Sequence, residues 1–172
     1  AKIIFLSGGD QSVLMKHISG TEFKKKIQKA FWNGSTIAGT SAGAALMSEK
    51  MITGNALLDT TYESTFYLLL ENNVEITEGL GLLDSVIIDQ HFVVRSRYNR
   101  LLSALHAFPN YQCIGIDEET ALVVHKGRGK VIGNSQVIVV SNTEAASDKN
   151  SIINTKNIDL DIYAPGEEME VK

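Results

Sequence analysis

Gly39-Thr40-Ser41-Ala42-Gly43 follows a short apolar strand, Ser35 to Ala38, and leads into Ser41 to Met47, a run of small apolar residues that reads as a helix. A G-x-S-x-G pentapeptide between strand and helix is the setting of a nucleophile elbow, a tight turn that lifts a serine hydroxyl above the end of a sheet. Glycines flank the serine because such a turn leaves no room for side chains. The helix N-terminus under Ser41 offers free N–H groups and the positive end of a dipole. The N–H of Ala42 directly follows the serine and is the natural donor to a developing oxyanion. The plain alternative is an ordinary Gly/Ser turn of an α/β protein.

The surrounding pattern supports an α/β reading. Lys2 to Leu6 is a buried-strand pattern ending at the turn Ser7-Gly8-Gly9-Asp10. Residues 11–18 and 21–32 read as helices; in the second, Phe23, Ile27, Ala30 and Phe31 recur at helical spacing while Lys24 to Lys26 face water. Residues 49–72 stay open, because Thr60 to Leu70 mixes β-branched, aromatic and leucine residues. Val86 to Ile88 reads as a strand and residues 95–108 as a helix stopping before Pro109. Short strands then follow at Gln112 to Ile116, Leu122 to His125, Lys130 to Ile132 and Val137 to Val140, with a hairpin at Gly127-Arg128-Gly129. Ser141 to Asn157 reads as loop and Ile158 to Tyr163 as a last strand. The expected architecture is one α/β domain over residues 1–172: a mostly parallel sheet with helices on both faces and an antiparallel C-terminal extension.

Composition narrows the function classes. At 172 residues the chain fits a single domain, and 44% apolar residues suffice for a core. The net charge of −4 lacks the basic excess of a nucleic-acid binder. No apolar run approaches the ~20 residues of a membrane span. The lone Cys113 excludes an intrachain disulfide and a CxxC metal site, and agrees with a reducing cytoplasm. The chain opens at Ala1 almost directly on a strand, as a trimmed, processed or fragmentary chain would.

A serine nucleophile needs a base. Of the four histidines, His106 lies in an amphipathic helix, His125 ends a strand beside a solvated turn, and His17 sits late in a helix. His91 follows a buried strand, where open α/β sheets place ligands, and is the expected general base. The acid that orients it is expected among Asp117-Glu118-Glu119, after another strand. Glu118 is preferred, though spacing does not separate it from its neighbours. Three of the four arginines fall at Arg95, Arg97 and Arg100, against twelve dispersed lysines. Arginine suits bidentate carboxylate binding, and at least one of the three is expected to pair with a structural acid such as Asp89.

Four ordered segments carry a family resemblance: Gly8-Gly9-Asp10-Gln11; Gly39 to Ala44; Asp89-Gln90-His91-Phe92 with Arg95, Arg97 and Arg100-Leu101; and Gly115-Ile116-Asp117-Glu118 with Thr120-Ala121. Together they resemble the cyanophycinase branch of a serine peptidase family that also contains the aspartyl dipeptidase peptidase E. The resemblance implies a three-layer α/β/α sandwich related to class I glutamine amidotransferases. It implies a Ser41-His91-Glu118 triad, with Gly9 and Ala42 at the oxyanion. It also implies a substrate site lined by Gln11, Asp89, Gln90, Arg95, Arg97 and Arg100. The implied activity is exopeptidase release of β-Asp-Arg dipeptides from cyanophycin, without metal or cofactor. A homodimer is also implied, with no nucleic-acid or membrane partner. An α-aspartyl dipeptidase and a non-catalytic fragment stand as the other readings. Members of that family carry further strands and helices ahead of the GGDQ strand, so Lys2 to Leu6 is expected to be an exposed edge here.

Overall fold

The computed structural model describes residues 1–58, 68–141, 144–146 and 152–172, so part of the undecided stretch Thr60 to Leu70 lies outside the described residues. Strand β1 (Ile3–Leu6) pairs in parallel with β2 (Thr36–Gly39), Leu6 standing opposite Gly39. Between them run α1 (Gln11–Ile18), capped by Asp10, and α2 (Glu22–Trp32). The expected second helix buries Ile27 and packs Phe31 against the same core, but its first turn departs from the pattern. Phe23 is 56% exposed, whereas Lys24 is buried with its Nζ 2.6 Å from Glu78. A lysine stem packs like an aliphatic chain when its ammonium finds a partner at the rim.

The elbow leads into α3 (Ala42–Ala45), shorter than expected, then β3 (Lys50–Ala56) and its antiparallel partner β4 (Val74–Glu78). Next come β5 (Val86–Gln90), α4 (Tyr98–Ala107) and β6 (Gln112–Ile116). The helical crossover makes β5 and β6 parallel, from Val86 opposite Gln112 to Gln90 opposite Ile116. Helix α4 begins later than expected because residues 91–97 turn sharply, with His91 at φ 51° and Ser96 at φ 49°.

Beyond β6 the connections are too short for crossovers, and pairing becomes antiparallel. The remaining strands are β7 (Thr120–His125), β8 (Arg128–Gly133), β9 (Val137–Ser141), β10 (Glu144–Ala146), β11 (Asn154–Lys156), β12 (Asp159–Tyr163) and β13 (Glu168–Glu170). The hairpin turns at Lys126-Gly127, both at positive φ, one residue earlier than expected. The expected loop after Ser141 contains the β10–β11 pair. The larger sheet runs β12-β9-β6-β5, and a second runs β13-β8-β7. Among the described residues, the parallel strand pairs are β1–β2 and β5–β6, with one isolated parallel bridge between Ser48 and Leu83, so the sheets are mixed rather than mostly parallel.

The four-stranded sheet sorts its side chains by the strand period of two. Ile87, Cys113 and Ile138 pack with Leu101, Ala104 and Leu105 of α4. Val86, Ile88, Ile114, Val137 and Val139 pack instead against Val131 and Met169 of the second sheet. This sheet is therefore covered by a helix on one face and by strands on the other. A third cluster joins Leu6, Met15, Ile27, Leu46, Met51 and Leu80 beneath α1 and α2. On β1, Ile3 and Phe5 are 67% and 65% exposed. No described helix is long and apolar enough to cross a membrane.

Candidate active site

The elbow is built by close backbone approach. A Cβ on Gly43 would stand 2.8 Å from the carbonyl carbon of Leu6, and one on Gly39 would meet the carbonyl of Gly43 and, at 2.8 Å, the Met47 Cε. Only glycine tolerates both approaches. They press the turn onto β1 and leave Ser41 at φ 51°, ψ −115°, a conformation a non-glycine residue holds only when its surroundings enforce it. The turn at Gly8 abuts it: a Cβ there would lie 3.4 Å from Ser41 Cβ. Among the described residues, the N–H groups of Gly9 and Ala42 donate to no backbone carbonyl.

His91 and Glu118 leave the carboxyl ends of the adjacent parallel strands β5 and β6. Ser41 Oγ lies 2.8 Å from His91 Nε2, and His91 Nδ1 lies 2.8 Å from Glu118 Oε1. A carboxylate only accepts, so Nδ1–H donates to Glu118 and Nε2 is left to accept the serine hydroxyl. That tautomer is the one a base for Ser41 requires. The relay is half open to solvent, with the His91 side chain 25% and Glu118 48% exposed.

Asp117, which sequence reasoning passed over for its neighbour, clamps the turn that follows His91. Its Oδ1 accepts from the N–H of Val93 at 3.0 Å and of Val94 at 3.1 Å, while Ser135 Oγ donates to Oδ2 at 2.6 Å. Burial pushes the Asp117 carboxyl up, but these donors and the Glu118 N–H outweigh it and hold it below its usual range. Phe92 seats on bare backbone: a Cβ on Gly115 would lie within 2.5 Å of both Phe92 Cδ atoms. A strand-end acid two positions after a strand glycine was the available signal for this support.

The six expected substrate residues divide. Asp89, 1% exposed, accepts from Arg100 Nε at 2.6 Å and also from Arg100 Nη2. Arg97 Nη1 donates to the Gln90 carbonyl at 2.6 Å and to the Gln90 side-chain oxygen, 3.6 Å from Asp89. Gln11 spends both amide protons on the Ile52 and Thr53 carbonyls, at 3.1 and 2.9 Å. It thereby ties α1 to the irregular part of β3, where Gly54 at φ 98° faces Arg100 Nη1. These five residues are bound to one another or to backbone, whereas Arg95 is exposed. Of the other histidines, His106 bonds Thr155 Oγ1 at 2.8 Å, away from this cluster. No group of three or more His, Cys, Asp or Glu that could hold a metal occurs among the described residues.

A serine on a strand–turn–helix elbow, bonded to a histidine that is bonded to a carboxylate, is the arrangement of the serine hydrolase class. The profile described as Peptidase family S51 matches residues 1–132, and the chain belongs to that family. It is 41% identical over 143 residues to a protein of Trichormus variabilis named cyanophycinase, covering 82% of this chain and 45% of the relative. It is 34% identical over 172 residues to a cyanophycinase of Synechococcus elongatus, covering 95% of this chain and 51% of the relative. The chain thus spans about half the length of the curated relatives it matches. In fold it is similar to the crystal structure of a peptidase from an acI-B1 Actinobacterium, at a TM-score of 0.66 and 24% identity, over 99% of this chain and 59% of the other.

Proposed function

We propose that this chain is a serine exopeptidase that hydrolyses β-aspartyl-arginine linkages and releases β-Asp-Arg dipeptides from cyanophycin. The observation that carries the reading is the pair of 2.8 Å contacts joining Ser41, His91 and Glu118 at a glycine-built elbow. Ser41 Oγ attacks the scissile carbonyl while its proton passes to His91 Nε2. Glu118 stays ionised and stabilises the imidazolium. The N–H groups of Gly9 and Ala42 receive the oxyanion. His91 then gives its proton to the leaving amine, and a water deprotonated by the same nitrogen cleaves the acyl-serine.

The homologues named cyanophycinase support the substrate class. Arg97 and Arg100 are held by Gln90 and Asp89, which leaves Arg95 as the exposed member of the cluster for a substrate carboxylate. In this reading the protein is a cytoplasmic homodimer with a three-layer α/β/α arrangement, needing no metal or cofactor.

The test is arginine-containing dipeptide release from cyanophycin by the chain beside its Ser41→Ala variant. Release by the parent alone is expected; equal release by both overturns the mechanism. Equal or faster cleavage of α-linked over β-linked aspartyl dipeptides would instead establish the peptidase E type of activity. Failure of Ser41 to react with a fluorophosphonate would indicate a non-catalytic fragment.

A further inference from the structure

Beside the elbow lies a cavity of about 240 Å³ that the mechanism above does not use beyond its edge. Gly9 and Ala42 form that edge, and the far wall is the outer face of α1: Asp10, Val13, Leu14 and His17. It is smaller than the ~300–1,000 Å³ of sites that enclose a whole ligand, and suits one side chain.

The polar side chains of that far wall, Asp10 and His17, offer acceptors, whereas Ser7 and the free N–H groups of Gly9 and Ala42 supply donors elsewhere on the lining. Asp10 caps α1 with Oδ1, which accepts from the N–H groups of Ser12 at 2.8 Å and Val13 at 3.0 Å. Among the described residues, Oδ2 accepts nothing. His17 Nδ1 lies 2.7 Å from the Val13 carbonyl, so Nδ1–H donates there and Nε2 is left as an acceptor. No lysine or arginine lines the cavity, and Val13 and Leu14 supply apolar wall. The three clustered arginines lie instead on the segment after His91.

We propose that this cavity is a subsite for a guanidinium-terminated side chain of the substrate. The methylene stem lies along Val13 and Leu14, and the planar head donates to Asp10 Oδ2 and His17 Nε2. A group with five donors and no acceptor complements the two acceptors of the far wall. The assignment rests on the proposed reaction for its place beside the scissile bond, yet binding to the cavity can be read without turnover.

The probe is Nα-acetyl-arginine amide, titrated into the full chain and followed by NMR of the histidine ring signals, with His17 assigned through a His17→Gln variant. Asp10→Asn is the informative substitution, because asparagine keeps the capping oxygen and loses only the charge. The expected result is a saturable shift of the His17 signals and binding about three- to five-fold weaker in Asp10→Asn, as for a solvent-exposed charge pair. The neutral citrulline analogue should bind both proteins equally weakly. Unmoved His17 signals, or arginine-amide affinity unchanged in Asp10→Asn, overturn the subsite. Loss of cyanophycin cleavage with these shifts retained would overturn the proposed reaction and leave the subsite standing.

Discussion

Asp89→Asn places a neutral amide where the Arg100 guanidinium, itself 3% exposed, now meets a carboxylate. The Arg97 guanidinium, 5% exposed, has Nη1 3.6 Å from the same Asp89 oxygen. Water does not reach this cluster well enough to replace the lost charge. Removing one partner of a buried, hydrogen-bonded ion pair costs about 3–5 kcal/mol, a large fraction of the ~5–15 kcal/mol that holds a domain together. Asparagine still accepts one hydrogen bond, so the lower end, about 3 kcal/mol, is the expected loss. Each kcal/mol moves Tm by about 2–4 °C in a domain of this size, giving a fall of about 6–12 °C. Urea unfolding followed by circular dichroism, on the parent, Asp89→Asn, Arg100→Met and the double variant, measures it. The cycle should show a coupling of about 2 kcal/mol or more, with the apolar double variant Asp89→Leu/Arg100→Met recovering much of the loss. An Asp89→Asn variant within about 0.5 kcal/mol of the parent would refute the reasoning, because the site would then be effectively solvated. Asp89 and Arg100 would in that case be available to substrate, as the sequence reading has them.

Asp117→Asn should loosen the turn behind His91. Because the Asp117 carboxyl sits below its ordinary 3.8, the stability it adds is present above that pH and lost as pH falls through the folded value. Unfolding curves of parent and variant should therefore differ at pH 7 and converge in acid; a difference that persists at the lowest pH argues against the clamp. Gly115→Ala should drive a methyl into the Phe92 ring and cost about 1–3 kcal/mol, with fluorophosphonate labelling of Ser41 slowed in the protein that remains folded. Labelling at the parent rate would mean that Phe92 does not position His91. Cys113 is fully buried and its thiol is pushed far above its ordinary range, so iodoacetamide should modify it in urea and not in the native protein. Native-rate alkylation would show that the β5–β6 layer opens readily.

Features with a local physical cause were legible in the sequence. The glycines of the elbow are demanded by backbone contact, the helix at α2 by apolar residues at helical spacing, and the antiparallel strands by short turns. Their boundaries shifted where a neighbour intervened: α4 starts only after the strained turn at His91 and Ser96. Lys24 illustrates the limit. Its place in a run of three lysines predicts solvent, yet Glu78 on a distant strand draws its ammonium to the rim of a core.

The site divides the same way. Sequence by itself marked Ser41 as the exposed residue of an elbow, His91 as the histidine at a strand end, and three consecutive acids as the source of a carboxylate. It could not rank those acids, because neighbours on a turn point in different directions and only the packed backbone sets each one. In the folded chain Glu118 reaches His91, Asp117 turns back to the amides of Val93 and Val94, and Glu119 adopts φ 53° and bonds Asn134. Nor could spacing reveal that Asp89 takes Arg100, or that Gln11 commits its amide to β3. Partner choice among charged and polar groups is decided by burial: only the tertiary structure determines which of them lose water and must therefore pair.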